Sequence, residues 1–377
     1  MNNPFGHQLY NWHLEISSRC PLKCPRCTRT EFPGTYRVTQ LGLDFIKTLF
    51  TPDFLKSEVK RITFSGGVGD PLYNSDLADI VAYIKSSHPD VQLVLITNGS
   101  HKPRQWWQNL LHHFNGHDEI IFSIDGWDNE SNNLYRINSD WESIMVGLQE
   151  AVKSSALVRW STIIFRFNEH KIEDIRELAR QQGVDSFHAV LSERFGMHYV
   201  NEETGIDPLE PSESFRSSIP RTQRFKESFK TNPGKHRGAR ETFRSIDDSF
   251  KKSYEDTLAK YQGFYILPTC KFGYRGIYVD VEGILYPCSW VSHQFDKKAS
   301  LVNPERVLHY EDGFYKYRDR LNLSKRSLQD VISDPLWGEL ECGWKSEESA
   351  FIICERKCLA ANSDQSQLKT KPLKELS

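Results

Sequence analysis

No stretch of this chain approaches the roughly 20 consecutive apolar residues that a helix needs to cross a bilayer. Its first residues, MNNPFGHQLYNWHLEI, also lack the charged start and apolar core of a secretory signal. A membrane-spanning or secreted protein is therefore not expected, and a cytoplasmic location is. A dominant charge is missing too. The formal net charge of -2 and a pI of about 6.7 give no overall pull towards nucleic acid or an anionic membrane. No internal repeat is present, so a repeat array does not account for the length.

What remains is a globular chain of 377 residues with eight cysteines. That length buries a full core, and a single core rarely grows beyond ~250 residues, so one large domain and a smaller one are expected. In a reducing cytoplasm, clustered thiols point to metal binding or catalysis and not to a disulfide framework.

Short apolar runs at 12–17, 61–66, 92–99, 119–126, 160–167 and 186–191 read as buried strands. Between them lie helical patterns. Leu77, Ile80, Val81 and Ile84 share one face, as do Ile172, Ile175, Leu178 and Ala179 before a stop at Gly183. Such alternation predicts a parallel sheet with right-handed crossovers, and ligands bind such sheets at the carboxyl ends of the strands. Polar groups gather at those predicted ends: Cys20, then SGGVGDP at 65–71, TNGS at 97–100, SIDG at 123–126, and Asn168.

From about Arg194 to Gln262 the pattern fails in favour of Ser, Lys, Arg, Glu and four prolines, which reads as an insertion or linker with some helix near 248–261. Order returns at GIYVDVEGILYPCSW, a hairpin turning at Glu282 and Gly283. The polar tail 363–377 reads as disordered.

Cys20, Cys24 and Cys27 fall within eight positions. A zinc site usually takes four ligands in two close pairs, and two of these thiols could serve one with the third a bystander. Three thiolates can instead hold three irons of a four-iron cluster and leave the fourth iron open. The C-x3-C-x2-C spacing resembles the signature of the radical S-adenosylmethionine (SAM) superfamily, and the resemblance covers roughly the first half of the chain. It implies a partial (β/α)6 TIM-type barrel over 1–193, a 4Fe-4S cluster on the three cysteines, and SAM bound at the open iron. One electron passed into the sulfonium would then release a 5'-deoxyadenosyl radical.

The same resemblance implies SAM contacts from Gly66 and Gly67 in a glycine loop whose usual glutamate is absent, with Asp70 coming late. It also implies contacts from Thr97 and Asn98, from Ser123 and Asp125 near the ribose, and from Arg136 at the carboxylate. Arg26 stands where the family often has an aromatic residue against adenine, and a guanidinium plane can stack on a base.

The run from Cys270 to Cys288 has a cysteine, twelve residues, a glycine, four residues and a cysteine. It resembles the opening of SPASM and twitch domains, which carry auxiliary clusters, and CERKC at 354–358 would close the site. A SPASM domain needs about seven cysteines and a twitch domain about four. The implied assignment is one cluster on Cys270, Cys288, Cys354 and Cys358, with Cys342 spare or an alternative to Cys354, in a twitch-type domain over 263–362 following the linker 194–262. A structural zinc on the same four thiols is the other reading.

The function implied is hydrogen abstraction from an unidentified substrate, giving a net oxidation or rearrangement with the second cluster as electron acceptor or substrate holder. No leader-binding domain precedes Trp12, which favours a small molecule over a peptide. A reducing partner such as flavodoxin or ferredoxin is implied as well. Asn168, His188 and Arg194 on the late strands are the expected substrate-facing residues. Two other classes stay open. Basic residues interleaved with aromatics over 215–252 suit RNA or a peptide, though Glu213, Glu227, Glu241, Asp247 and Asp248 dilute the charge. A zinc-stabilised interaction protein without catalysis explains the cysteines but not the rim of Gly66, Ser123 and Asp125.

Overall fold

A computed structural model of the protein describes residues 9–31, 33, 37–192, 195, 199–218, 225–229, 248, 251–252, 254–271, 276–292, 315–346, 349–350, 354 and 358–360. All six predicted strands form: β1 (Asn11–Leu14), β2 (Arg61–Phe64), β3 (Gln92–Thr97), β4 (Glu119–Ser123), β5 (Leu157–Ile164) and β6 (Ser186–Leu191). They pair in parallel and in sequence order, each step crossing through helix. The result is an α/β fold with a six-strand parallel sheet, a partial barrel whose sheet stays open.

The helices form where apolar spacing favours them. Leu77–Ser87 buries Leu77, Ile80, Val81 and Ile84, and Trp141–Lys153, capped by Asp140, buries Ile144, Leu148 and Ala151. Ile172–Gln181 buries Ile172, Ile175 and Ala179, leaves Leu178 half-buried, and gives way to Gly183 at φ +81°. These faces share one continuous core with Leu14, Phe64, Leu95 and Phe122. Strand β5 shows the pleat most plainly, with Val158, Trp160, Thr162 and Ile164 buried and the residues between them partly exposed.

Two expectations change. The segment read as an insertion or linker supplies β7 (Phe225–Ser228), which pairs antiparallel with β6 and forms one edge of the sheet. The carboxyl-terminal hairpin does not stand apart either. It turns at Gly283, φ +81°, as its sequence indicates. Its first strand, β9 (Ile277–Val279), pairs in parallel with β1, and β10 (Leu285–Tyr286) forms the opposite edge. Residues of this region, among them Tyr278, Leu285, Trp337 and Trp344, belong to the same core as the barrel. A further strand pair, β8 (Ile266–Leu267) with β11 (Leu359–Ala360), ties the end of the chain back to this region. Arg194, the tail 363–377 and most of the basic run over 219–247 lie outside the described residues. No helix is long and apolar enough to cross a membrane among the described residues.

Candidate active site

The three-cysteine loop leaves β1 at its carboxyl end. Cys24 and Cys27 are joined by a turn in which the Cys27 N–H donates to the Cys24 carbonyl at 3.0 Å, and Thr28–Glu31 continues as one turn of helix. Neighbouring rim segments hold the loop's backbone. The Lys23 N–H donates to the Ile137 carbonyl at 2.9 Å and the Asn138 amide to the Pro21 carbonyl at 3.0 Å. All three thiols are free and partly exposed. Burial pushes the Cys20 pKa up to about 12, with a further push from Asp70; it pushes Cys24 up to about 11, opposed by the nearby Arg136 guanidinium. Without metal these two thiols hold their protons at neutral pH, and iron must displace them.

The second loop crosses itself so tightly that only glycine fits. A Cβ on Gly66 would lie 1.8 Å from the Gly69 carbonyl oxygen, and one on Gly69 would lie 2.0 Å from the Ser17 carbonyl oxygen. Asp70, expected as a cofactor contact, is hydrogen-bonded to its neighbours on the rim. Its carboxylate accepts from the Leu72 N–H (3.0 Å), the Thr97 hydroxyl (2.9 Å), the Asn98 N–H (2.7 Å) and the Asn98 amide (2.6 Å), so it ties the β2 loop to the β3 loop. Thr97 is committed to that bracket, while the Asn98 amide also reaches Cys20 Sγ at 3.6 Å.

At the end of β4, Ser123 is partly exposed on the rim and Asp125 is wholly buried. Asp125 accepts from the Ile163 N–H at 2.7 Å and pairs with Arg136 Nε at 2.7 Å. Burial raises its pKa and Arg136 opposes the rise. Asn132 fixes this turn by accepting from the Asp125 and Gly126 N–H groups at 3.0 and 3.2 Å.

Arg26 is likewise held. Its guanidinium carbon lies 3.5 Å from the centre of the Tyr199 ring and its Nη2 2.5 Å from the buried Asp207 carboxylate, which clasps the segment after β6 onto the cysteine loop. Asn168, expected to face substrate, is wholly buried. It donates to the Asp125 and Ile163 carbonyls at 2.7 and 2.9 Å and accepts from the Phe165 N–H at 2.7 Å, so both ends of its amide brace the β4 and β5 ends. His188 is on β6, half-buried and with partners of its own.

Residues that the sequence did not single out complete the rim. Glu15, buried one residue beyond β1, accepts from the Val68 N–H at 2.5 Å and from the Tyr278 hydroxyl at 2.6 Å, and its pKa is pushed up to about 7 by burial. An acid inside the apolar run WHLEIS is the signal that would have found it. Asn74 joins the β1 end to the following loop through the Ile16 and Leu41 carbonyls at 2.7 and 2.9 Å.

Four of the five remaining cysteines gather around a cavity of about 90 Å³. Cys270, Cys288, Cys354 and Cys358 all line it, with Thr269, Trp290, Leu340 and Trp344 among the other walls. Burial raises the thiol pKa of Cys270, and neighbouring Cys358 and Cys288 raise it further. Lys271 sits beside it, paired with Glu341 at 3.1 Å, and supplies a buried positive charge that favours thiolates. Cys342 is exposed and is not among the cavity's lining residues. Among the described residues no three His, Cys, Asp or Glu side chains are close enough to enclose a single metal ion.

Residues 14–181, less than half of the chain, match the family model described as Radical SAM superfamily. Proteins of that superfamily use a 4Fe-4S cluster and SAM. The donor set fits them: three free thiols on one loop at the open end of the strands, beside backbone that only glycine allows to come so close. Among curated relatives, the chain is similar to a GTP 3',8-cyclase of Rhizobium etli, 24% identical over 59% of this chain and 62% of that protein. It is also similar to a GTP 3',8-cyclase of Campylobacter lari, 21% identical over 80% and 86%, and to Molybdenum cofactor biosynthesis protein 1 of Drosophila melanogaster, 26% identical over 49% and 32%. The chain thus spans less than two thirds of the Rhizobium and Drosophila relatives' own lengths. Among solved structures, the fold is shared with Streptococcus suis SuiB at a TM-score of 0.52 and 11% identity, covering 88% of this chain and 68% of that one. It is shared with anSMEcpe bearing bound AdoMet at 0.52 and 12%, covering 94% and 87%.

Proposed function

We propose that the protein is a radical SAM enzyme with a second iron-sulfur cluster, acting on a small molecule. The observation that carries this reading is the division of the cysteines: three on the loop after β1, and four around one separate cavity. Bound at the first loop, the cluster and SAM would supply a 5'-deoxyadenosyl radical able to take hydrogen from an unactivated carbon.

The chain's own part is binding and exclusion. Cys20, Cys24 and Cys27 hold the first cluster, and the Gly66 and Gly67 backbone, Asn98, Ser123 and Arg136 line the place for SAM. Asp70, Thr97 and Asp125 keep these groups in register through the bonds described above. Arg136 stays cationic between Asp125 and the Cys24 thiol, which suits it to hold a carboxylate. Cys270, Cys288, Cys354 and Cys358 hold the second cluster in a twitch-type region over 263–362, with Lys271 offsetting part of its negative charge. The barrel over 1–193 and the segment 194–262 complete the organisation, with a one-electron carrier such as flavodoxin or ferredoxin as reductant.

The relatives named GTP 3',8-cyclase support a small, nucleotide-like substrate and a ring closure on it over a peptide or RNA substrate. The test is anaerobic reconstitution followed by mass spectrometry of products formed from SAM and candidate nucleotides. Release of 5'-deoxyadenosine that depends on Cys24 supports the enzyme reading, and deuterium transfer from a labelled nucleotide supports the substrate class. A protein that takes up zinc alone and leaves SAM intact refutes both.

A further inference from the structure

The glycine loop proposed to meet SAM has no acid of its own to spare, since Val68 follows the two glycines and Asp70 is bound to Leu72, Thr97 and Asn98. We infer that Glu15, reaching across from the end of β1, is the positioning residue for this loop, and that Tyr278 makes its hold depend on the carboxyl-terminal hairpin. This rests on the reading that Gly66 and Gly67 contact SAM.

The geometry is specific. One carboxylate oxygen of Glu15 accepts from the Val68 N–H at 2.5 Å, and the other accepts from the Tyr278 hydroxyl at 2.6 Å. The Glu15 N–H donates to the Val279 carbonyl at 2.9 Å, which fixes its backbone to the same hairpin. Among the described residues no cation pairs with this buried carboxylate. A bare charge in such a place is costly, and what offsets the cost is two directed donors, one from the loop and one from the hairpin. An acid placed there holds the loop's carbonyls and N–H groups at fixed angles.

Tyr278 carries the connection onward. Its ring centre lies 6.1 Å from that of Tyr286, whose hydroxyl donates to Asp280 at 2.9 Å. Pro287 and Cys288 follow directly and line the four-cysteine cavity. The hairpin thus runs from the loop of one site to the wall of the other.

The test uses the full chain, with SAM titrated calorimetrically into the iron-loaded protein and hydrogen exchange followed on the metal-free protein. Glu15→Ala should weaken SAM binding about tenfold. Glu15→Gln, whose amide oxygen still accepts from the loop, should restore it to within about threefold. Tyr278→Phe should fall between the two. In metal-free protein, the peptide holding Gly67 and Val68 should exchange faster in Glu15→Ala and Tyr278→Phe, while a peptide around Ile163 should not change. Leu95→Ala, a core truncation in β3 away from the rim, should lower stability and leave SAM affinity unchanged.

Wild-type SAM affinity and loop exchange in Glu15→Ala would overturn the inference. So would an equal loss of affinity in Leu95→Ala, because general destabilisation would then explain both. If Glu15→Ala does not fold, Glu15→Gln and Tyr278→Phe carry the test. If iron-loaded wild-type protein fails to bind SAM, the reading of the glycine loop falls, and the exchange rates alone still decide whether Glu15 and Tyr278 hold it.

Discussion

Replacing Asp70 with Ala removes the acceptor shared by the Leu72 N–H, the Thr97 hydroxyl, and the Asn98 N–H and amide, at 2.6 to 3.0 Å. Each buried donor left without a partner costs about 1 to 3 kcal/mol, so four at mid-range would cost about 8 kcal/mol. Two effects reduce that sum. Water entering from the open rim can satisfy some of the donors, and burial raises the Asp70 pKa, so the wild type already bears the cost of a buried charge. A net loss of about 3 kcal/mol is expected, out of a total stability of about 5 to 15 kcal/mol. With a denaturant slope near 2 kcal/mol per molar, the urea midpoint should fall by about 1.5 M. Asp70→Asn should lose nearly as much, because its NH2 group faces donors. Urea unfolding followed by tryptophan fluorescence reads the shift, and iron bound after reconstitution reads the site. An unfolding free energy within about 0.5 kcal/mol of wild type for both variants, the range of ordinary surface substitutions, would refute the view that Asp70 braces the rim.

Reconstituted protein should bind about eight irons, and the triple change of Cys20, Cys24 and Cys27 to Ala should remove about half; loss of all iron would show that the two sites are not independent. Cys288→Ala should keep SAM cleavage and lose substrate turnover, as followed by chromatography of 5'-deoxyadenosine and product. Cys342→Ser should bind as much iron as wild type, since Cys342 is exposed and absent from the cavity wall. Glu15 sets a slope in stability with pH: its folded pKa is near 7 against an ordinary 4.5, so the folded state holds the extra proton between those values and stability falls as pH rises through that window. The contribution is about 3 kcal/mol, and thermal melts of Glu15→Gln from pH 5 to 8 should show a shallower slope than wild type.

Much of the barrel was legible because its strands read as short apolar runs, and because the faces of Leu77–Ser87 and Ile172–Gln181 repeat at helical spacing. The Gly283 turn followed from glycine alone. Pairing between distant segments is not written in local pattern, which is why β9 on β1 and β7 on β6 were missed. The same limit applied within the site. Cysteine spacing marks the cluster loops, but nothing near Arg26 in sequence indicates Tyr199 and Asp207. Asn168 and Asp70 show the same limit, because polar residues at strand ends serve a ligand, the backbone or both, and their hydrogen-bond partners are not written in the spacing.

The pairing of β9 with β1 bears on how this protein can be cut. A fragment ending at residue 193 would retain the whole segment that matches the superfamily, yet it would uncover the edge of β1. The backbone groups of Trp12, His13 and Leu14 now facing β9 would be left open, and Tyr278 and Val279 would no longer satisfy Glu15. Exposed edges of this kind recruit other strands. Such a fragment should self-associate when made alone and become monodisperse when co-expressed with the carboxyl-terminal piece, which would make the two halves a split-protein pair whose reassembly can be scored in cells.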